Sequence, residues 1–447
     1  MKGRLFQIWF SLRCGVANRE FVPLLERYGS AYEIFMADEA EIDRMPCSDS
    51  LKRALCDKSL AESNRILEYC QQHEVGFLFW QDEDYPESLR VLRDPPVLLY
   101  YKGHLPDFAS RLCIGVVGTR KMSEYGKNMA YKIGYELASS GTVLISGMAL
   151  GIDSVAAAGA IAAKGATVAV LGSGIDYIYP SEHKTLARVI QERGILLTEF
   201  PPATEPKGEN FPIRNRIISG LSQGVVVVEA DRKSGALITA RTAIAQGKEI
   251  FAVPGNVGSE NTAGTNQLIV DGATVVLRAK DILESFEFLY RDVLDMIRLS
   301  KSEAHASPDD ALIARLGIYV RTEDGVMRQS KYSNDPTPRP STDRPRHTRS
   351  PKPTDPQPSE GKGDAIEARP TPPPKAAPQE GDKSEAILQG LSETQRAVFA
   401  ALPLDHAVPV DYLTREGFSM SQIMSAMTIL EIKGLVVSLP GGLFSRK

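Results

Sequence analysis

The sequence predicts an α/β protein built on an extended Rossmann-like, doubly wound parallel sheet, for three reasons. Short apolar runs alternate with helix-like segments between Ile114 and Asn256. Runs such as 225–228 are apolar at every position, which is typical of parallel strands covered on both faces. Small and cationic residues follow several of these runs, and such sheets bind ligands at the carboxyl ends of their strands. We therefore expect one ligand crevice along that edge.

The length of 447 residues predicts several domains, because one domain usually takes about 100 to 200 residues. The pattern along the chain indicates a small helical module, a Rossmann-like core, a proline-rich disordered linker and a winged-helix domain. Their predicted bounds are, in that order, 1–75, 76–290, 291–383 and 384–447.

The helical module is predicted from apolar residues at helical spacing, such as Leu5, Ile8 and Leu12, with Gly15 as a helix stop. Two strands, at 75–80 and 97–101, then lead into the core.

The core itself alternates strands and helices, which favours right-handed crossovers between parallel strands. Its predicted strands are 114–117, 143–146, 167–171, 195–198, 225–229 and 249–253. Its predicted helices are 124–139, 154–164, 182–192, 215–221 and 236–246.

The linker is predicted from composition. Residues 336–378 contain 13 prolines and no aromatic residue. Such a segment buries too little apolar surface to offset the entropy of ordering, so we expect a disordered, partly extended tether.

Three helices and a hairpin predict the winged-helix domain. Ser392 and Gln395 form a capping-box pattern at the start of the first helix. The predicted elements are helices at 392–401, 410–416 and 419–433 and strands at 435–438 and 443–444. The third helix carries Ile423, Met427 and Leu430 on one face, but Lys433 is its one cation. We therefore predict that this domain binds protein or regulates the core, and does not read a duplex.

Charge argues for a local site. The net charge of −4 disfavours a protein that coats nucleic acid by bulk charge. Residues 110–278 contain 17 Lys and Arg against 14 Asp and Glu, so this segment is mildly basic within an acidic chain.

The remaining composition predicts an ordinary intracellular chain. The five cysteines form no Cys-x-x-Cys pair, so we interpret them as reduced apolar fillers and expect no zinc site. No run reaches about 18 apolar residues, so we expect no membrane span and a cytoplasmic location.

Two turns at strand ends carry candidate anion ligands. Gly118, Thr119 and Arg120 follow the first core strand, where glycine admits a ligand close to the backbone and arginine can grip phosphate. Ser146 and Gly147 close the second strand. Near them, Asp153 has two open interpretations, as a helix cap or as a ligand contact.

Aromatic residues accompany these turns. Tyr177 and Tyr179 follow the small residues 172–174, and unpaired bases can stack on such rings beside a cationic crevice. For each tyrosine, however, a place in the core with a satisfied hydroxyl is the favoured interpretation.

The segment 211–216 is the most informative. An aromatic residue, Phe211, and a proline precede Arg214, Asn215 and Arg216, which we place at or near the first turn of a helix. Cations there oppose the helix dipole, so a bound polyanion is the favoured explanation. Pairing of the arginines with Glu229 or Asp231 is the alternative.

Other motifs are missing from the sequence. It contains no Gly-x-Gly-x-x-Gly in register and no Walker A loop. We therefore predict no catalytic residue, no cofactor and no enzyme activity.

In combination, these motifs resemble the DNA-processing protein A family (DprA, also called Smf). The resemblance covers residues 85–276 and includes Gly-Thr-Arg at 118–120, Ser-Gly-x-Ala-x-Gly-Ile-Asp at 146–153 and Phe-Pro-x-Arg-Asn-Arg at 211–216. It implies a bacterial protein that binds single-stranded DNA cooperatively, protects it during natural transformation and loads the RecA recombinase. It also implies dimerisation through the Rossmann domain.

The resemblance also implies the DNA-binding residues. They are Gly118, Thr119, Arg120, Ser146, Gly147, Phe211, Arg214, Asn215 and Arg216, with Lys207 nearby. The helical N-terminus resembles the sterile-alpha-motif or helix-hairpin-helix-like module of some members, and the C-terminus resembles the winged-helix extension of others.

Two other classes of function remain open. One is a nucleotide-processing enzyme of the lysine-decarboxylase-like phosphoribohydrolase group, although residues 231–236 lack the glutamate of that group's motif. The other is a scaffold with a vestigial crevice.

Overall fold

A computed structural model describes most of the chain in two compact units, Met1–Ser341 and Thr342–Lys447. The described residues are 2–302, 306–321, 327–329, 393–403, 408–409, 418, 423, 426–427, 430, 435–439 and 443–446.

A nine-stranded sheet forms the centre of the first unit. Its strands are β1 (Gly76–Phe79), β2 (Leu98–Gly103), β3 (Cys113–Val117), β4 (Val143–Ser146), β5 (Thr167–Val170), β6 (Ile195–Thr198), β7 (Gly224–Val227), β8 (Glu249–Ala252) and β9 (Thr274–Val275). Their order is β1-β2-β6-β5-β4-β3-β7-β8-β9. The pairs from β6 to β9 are parallel, which confirms the predicted Rossmann-like sheet. β2 extends it by pairing antiparallel with β6.

Helices cover both faces of this sheet and form the N-terminal module. They are α1 (Lys2–Cys14), α2 (Phe21–Tyr28), α3 (Ala31–Met36), α4 (Glu39–Asp43), α5 (Asp49–Cys56), α6 (Ala61–Gln72), α7 (Glu87–Arg90), α8 (Glu124–Ser139), α9 (Ile152–Ala162), α10 (Lys184–Gln191), α11 (Asn210–Leu221), α12 (Gly235–Ala245), α13 (Ala263–Val270), α14 (Ala279–Leu283), α15 (Glu287–Tyr290), α16 (Met296–Ser302) and α17 (Asp310–Arg315). Short 3-10 turns occupy Ser181–His183 and Glu260–Thr262.

Small residues let α8 and α9 pack closely against each other. A Cβ added at Gly134 would lie 2.1 Å from the Ala156 carbonyl oxygen, and one added at Gly159 would lie 2.2 Å from the Tyr131 carbonyl oxygen. Glycine is therefore required at both positions, and this contact fixes α8 and α9 against each other.

The N-terminal module consists of α1 to α6, as the helical spacing predicts. Trp9, Phe10 and Phe21 are buried in the same core cluster as residues of the sheet. The backbone N–H of Ala17 also donates to the Glu199 carboxylate at 3.1 Å. The module is therefore packed on the core, and its likeness to a sterile alpha motif or helix-hairpin-helix stays a prediction.

The predicted linker begins too early. Residues 296–302 and 310–315 are helical, and Leu299, Ile313 and Ile318 are buried in the core cluster. This part of the chain has few prolines and enough apolar side chains to fold, so assigning it to the linker was wrong. The proline-rich stretch 336–378 lies outside the described residues.

In the first unit, β10 (Tyr319–Arg321) and β11 (Met327–Gln329) also pair antiparallel. The second unit contains α18 (Glu393–Ala401) and strands β12 (Val408–Pro409), β13 (Val436–Leu439) and β14 (Leu443–Arg446). β13 and β14 pair antiparallel, which confirms the predicted hairpin. Ile423, Met427 and Leu430 are buried together, as their spacing predicts. The capping residue Ser392 and the helix predicted at 410–416 lie outside the described residues.

Two further observations concern composition. Among the described residues, no helix combines the length and apolar character needed to cross a bilayer. All five cysteines are free, but Cys56 is exposed, so its interpretation as an apolar filler was wrong.

Candidate functional site

A crevice of about 670 Å³ opens at the carboxyl edge of the sheet, beyond the ends of β3 and β7. Six of the predicted site residues line it: Gly118, Thr119, Arg120, Phe211, Arg214 and Asn215. Gly147 lines a small recess that shares Arg120, Phe211 and Arg214 with the crevice. Residues from distant parts of the sequence therefore meet at one place, as the strand order requires.

The loop after β3 is held against its neighbours by backbone hydrogen bonds. Thr119 donates its N–H to the Glu229 carbonyl oxygen at 2.7 Å and accepts from the Ile152 N–H at 3.2 Å. A Cβ at Gly118 would lie 2.6 Å from the Ile152 side chain, so glycine is needed for this approach. Arg120 is exposed at the mouth of the crevice.

The loop after β4 is organised by Asp153. Its carboxylate accepts from the Gly147 N–H at 2.9 Å. Burial raises the pKa of Asp153, while the Arg214 charge opposes that rise. α9 begins after Gly151 without a side-chain cap, so the structure does not support the interpretation of Asp153 as a helix cap. The carboxylate instead shapes the loop.

Ser146 supports this loop from below. Its side chain is buried, and its hydroxyl accepts from the Met148 N–H at 3.3 Å. The Met148 carbonyl in turn accepts from the Nδ1–H of buried His183 at 2.9 Å. Ser146 is not among the residues that line the crevice or the small recess, so it supports the loop rather than forming the wall.

Arg214 forms the floor of the crevice. Its guanidinium donates to the Gly147 carbonyl at 2.9 Å, to the Val170 carbonyl and to the Asn215 side-chain oxygen at 3.2 Å. Burial lowers its pKa to about 10, and the Asp153 charge opposes that change. Gly147 must be glycine here, since a Cβ would lie 2.5 Å from the guanidinium.

Phe211 presents a half-buried aromatic ring at the mouth. The guanidinium carbons of Arg120 and Arg214 lie 5.5 and 5.8 Å from its ring centroid. The Tyr179 ring centroid lies 5.5 Å away at an interplanar angle of 41°. Gly172 makes room for the ring, because a Cβ there would lie 2.8 Å from it.

The tyrosines differ from expectation. Tyr177 and Tyr179 are 39% and 44% exposed, so placing them in the core was wrong. The turn that carries them extends beyond the end of β5, where the sheet no longer covers side chains. Tyr179 thereby becomes part of the aromatic wall.

Helix α11 begins at Asn210, five residues earlier than predicted. Pro212 fits inside its first turn, where a missing N–H breaks no helical hydrogen bond. The arginines therefore lie in the second turn, so the argument that they oppose the helix dipole at its start was wrong.

Arg216 does not line the crevice, which corrects its assignment to the site. Its side chain is buried, donates to the Glu199 carboxylate and lies 3.6 Å from an Asp94 oxygen. Glu199 also holds the N-terminal module, and burial raises its pKa against the effect of the Arg216 charge. Residues two apart on a helix point about 200° from each other, and that signal was available in the sequence.

Lys207 is exposed in the loop before α11. Its neighbours Pro206 and Gly208 line the crevice, while its own contact with a ligand stays a prediction.

Sequence reasoning left one wall of the crevice out of the site. The start of α12 and an exposed lysine complete it: Lys121, Asp231, Ser234, Gly235, Ala236, Ile238 and Thr239. The signal was the position of residues 231–236 directly after a core strand.

The fold and the crevice define a Rossmann-like protein with a cationic, aromatic-lined ligand site at the carboxyl edge of its sheet. The family described as DNA recombination-mediator protein A matches residues 76–287. A second family, described as the DprA winged helix domain, matches residues 370–442.

Individual relatives agree with these matches. The chain is 41% identical to the DNA processing protein DprA of Bacillus subtilis over 220 residues, which are 49% of this chain and 74% of that protein. It is 35% identical to DprA of Streptococcus pneumoniae over 292 residues, which are 64% of this chain and all of that protein. An X-ray structure of the pneumococcal DprA covers 63% of this chain at 32% identity and a TM-score of 0.56. The chain belongs to the DprA/Smf family, which confirms the resemblance.

Proposed function

We propose that the chain binds single-stranded DNA in the crevice. The observation that carries this proposal is the Phe211 ring at the mouth, flanked by two guanidinium groups and by Tyr179. Aromatic rings bind unpaired bases by stacking, and nearby arginines bind the phosphates between them. In a duplex the base faces are already stacked, so a single strand fits this arrangement better.

The cations of the crevice divide into two kinds. Arg120 and Lys121 are exposed, and Arg120 forms no ion pair with any residue that the structure describes. Arg214 is buried and committed to backbone carbonyls. Arg120 and Lys121 therefore supply the phosphate contacts, with Lys207 as a further cation from the loop before α11, while Arg214 shapes the floor.

The role that follows is that of a recombination mediator, which protects single-stranded DNA and loads RecA onto it. The description of the matching family supports this proposal. The test is RecA ATPase activity on DNA coated with single-strand-binding protein. The full chain should shorten the lag before activity, and an unchanged lag would contradict RecA loading.

The crevice acts without catalysis in this proposal. Its buried carboxylate Asp153 is committed to the Gly147 amide, and Glu229 beneath it is committed to Ser123. The alternative, a phosphoribohydrolase-like enzyme, predicts hydrolysis of nucleoside monophosphates by the pure protein. Product formation that is lost in Asp153→Asn would favour that enzyme.

The chain also dimerises through the Rossmann domain in this proposal. Support comes from apolar residues exposed along the β9 side of the sheet, where Val270 and Leu277 are 79% and 63% exposed. Sedimentation of the full chain should show a dimer that Val270→Asp with Leu277→Asp converts to monomer. A monomeric wild-type chain at micromolar concentration would contradict dimerisation.

The winged-helix domain binds protein or regulates the core in the cytoplasm, where both DNA and RecA are found. The fragment 384–447 should bind duplex weakly, and tight duplex binding would contradict this assignment.

Direct DNA binding is tested by fluorescence anisotropy with matched single-stranded and duplex oligonucleotides. The full chain should bind the single strand more tightly and lose affinity as salt rises. Equal affinity for both forms would contradict the proposed site.

A further inference from the structure

Glu229 is a buried carboxylate beneath the loop that carries Arg120. It follows β7 by two residues and is 1% exposed. Its position places it between the start of α8 and the crevice, although it does not line the crevice.

Both carboxylate oxygens of Glu229 are used by one residue. Ser123 donates its N–H to Oε2 at 2.9 Å and its hydroxyl to Oε1. The backbone carbonyl of Glu229 accepts from the Thr119 N–H at 2.7 Å. Glu229 thus holds both ends of the five-residue segment 119–123.

The start of α8 is built around this carboxylate. A Cβ placed at Gly126 would lie 2.1 Å from Oε2 of Glu229. Glycine at position 126 therefore allows the helix to approach the carboxylate this closely. Ser123 also caps α8 by accepting from the Gly126 N–H at 3.0 Å. A negative charge at a helix N-terminus is stabilising in itself.

The middle of the segment is fixed as well. The Lys121 N–H donates to the Thr119 hydroxyl at 3.2 Å, and the Lys121 carbonyl accepts from Asn261 at 3.0 Å. The backbone of the segment is therefore held at several points, while the side chains of Arg120 and Lys121 are exposed.

We propose that Glu229 is a positioning residue for nucleic-acid binding, which holds the backbone of residues 119–123 so that Arg120 and Lys121 meet the phosphates without a loss of loop entropy. The proposal rests on the proposed function of the crevice. Pre-ordering a binding loop increases affinity because less freedom is lost when the ligand binds.

Two substitutions separate position from charge. Glu229→Ala removes both acceptors, and we expect it to weaken single-strand affinity about tenfold. Glu229→Gln keeps one oxygen for the Ser123 N–H and offers an amide to the Ser123 hydroxyl. We expect Gln to restore affinity to within about threefold of wild type. A gain of affinity in both variants would instead mean that the buried charge merely repels DNA, and would overturn the proposal.

A double-mutant cycle locates the effect. With Arg120→Ala and Lys121→Ala already present, adding Glu229→Ala should weaken binding by less than about twofold, because the side chains that it positions are gone. The same tenfold loss in both backgrounds would overturn the proposal. Leu24→Ala, in the buried core of the N-terminal module, controls for lost stability alone and should leave affinity unchanged.

Amide hydrogen exchange tests the proposal without DNA. The amides of Lys121 and Ser123 should exchange faster in Glu229→Ala and return towards wild-type protection in Glu229→Gln. Unchanged protection in the Ala variant would overturn the proposal, even if wild-type protein bound no DNA and the proposed function failed.

Discussion

The two sides of helix α11 use the same residue type for different purposes. On one side, Arg214 reaches the crevice and binds the carbonyls of Gly147 and Val170. On the other side, Arg216 reaches Glu199, which in turn accepts from Ala17 of the N-terminal module. Two arginines of one motif therefore serve the ligand site and the packing of the module separately.

Burial alone therefore does not identify the function of a charged residue. Both guanidinium groups are buried and both lie near a carboxylate. Asp153, near Arg214, shapes a crevice loop, whereas Glu199 lies at the end of β6. Substitutions on the two sides should consequently separate DNA affinity from stability.

Arg216→Ala, on the side of α11 that faces Glu199, should have the largest effect on stability. Arg216→Ala leaves Glu199 buried without its partner, which should lower the free energy of unfolding by about 3–5 kcal/mol. Single-strand affinity of the folded protein should change by less than about twofold, since Arg216 does not line the crevice. Urea denaturation and anisotropy measure the two quantities. A large loss of DNA affinity with little change in stability would place Arg216 in the ligand site and contradict its packing role.

The loss of unfolding free energy caused by Arg216→Ala should depend on pH. Burial raises the pKa of Glu199, so the Glu199 carboxyl stays protonated to higher pH in the folded state than in the unfolded chain. Such a group lowers stability as pH rises through the interval between its two pKa values. The Arg216 charge opposes this rise, so removing Arg216 raises the folded-state pKa further and widens the interval. The loss of unfolding free energy should therefore be larger at pH 8 than at pH 5. Equal losses at both pH values would contradict the ion pair.

On the crevice side, Arg214→Ala should affect both quantities. It leaves two buried carbonyls without a donor, which should cost about 1–3 kcal/mol of stability. It also frees the loop after β4, so single-strand affinity should fall about tenfold or more. If Arg214→Ala lowered stability without lowering DNA affinity, Arg214 would serve packing alone, as Arg216 does, and the two sides of α11 would not differ.

Phe211→Ala should weaken DNA binding by about 1–3 kcal/mol through lost stacking, with a small effect on the salt dependence. Phe288 provides a matched control, because its ring is 95% exposed and lies outside the crevice lining. Phe288→Ala should bind as wild type does. Equal losses in the two variants would show that the effect is not specific to the crevice.

Much of the fold follows from local pattern. The strands of the core were predicted to within two residues, because continuous apolar runs bounded by glycine and polar residues mark buried strands. The hairpin of the second unit was predicted for the same reason. The position of the crevice is predicted by the turns at the strand ends, because such sheets bind ligands at that edge.

The rest depended on contacts between distant residues. Arg216 pairs with Glu199 and also lies 3.6 Å from an Asp94 oxygen, and no local pattern selects these partners over Glu229 or Asp231. α11 begins before its proline, because Pro212 is accommodated in the first turn and does not mark the helix boundary. The predicted linker includes Leu299, Ile313 and Ile318, which are buried in the core cluster through long-range contacts that no local pattern shows.

The smallest of these changes, Arg120→Ala, tests the central claim most directly, because Arg120 is exposed at the crevice mouth and serves no buried contact. Full-chain protein is titrated with a single-stranded oligonucleotide at several salt concentrations, beside Arg53→Ala, which removes an exposed arginine from the N-terminal module. We expect Arg120→Ala to weaken binding about tenfold and to reduce the salt slope by about one, with Arg53→Ala unchanged. Wild-type affinity and slope in Arg120→Ala would contradict the claim that this crevice binds the DNA backbone.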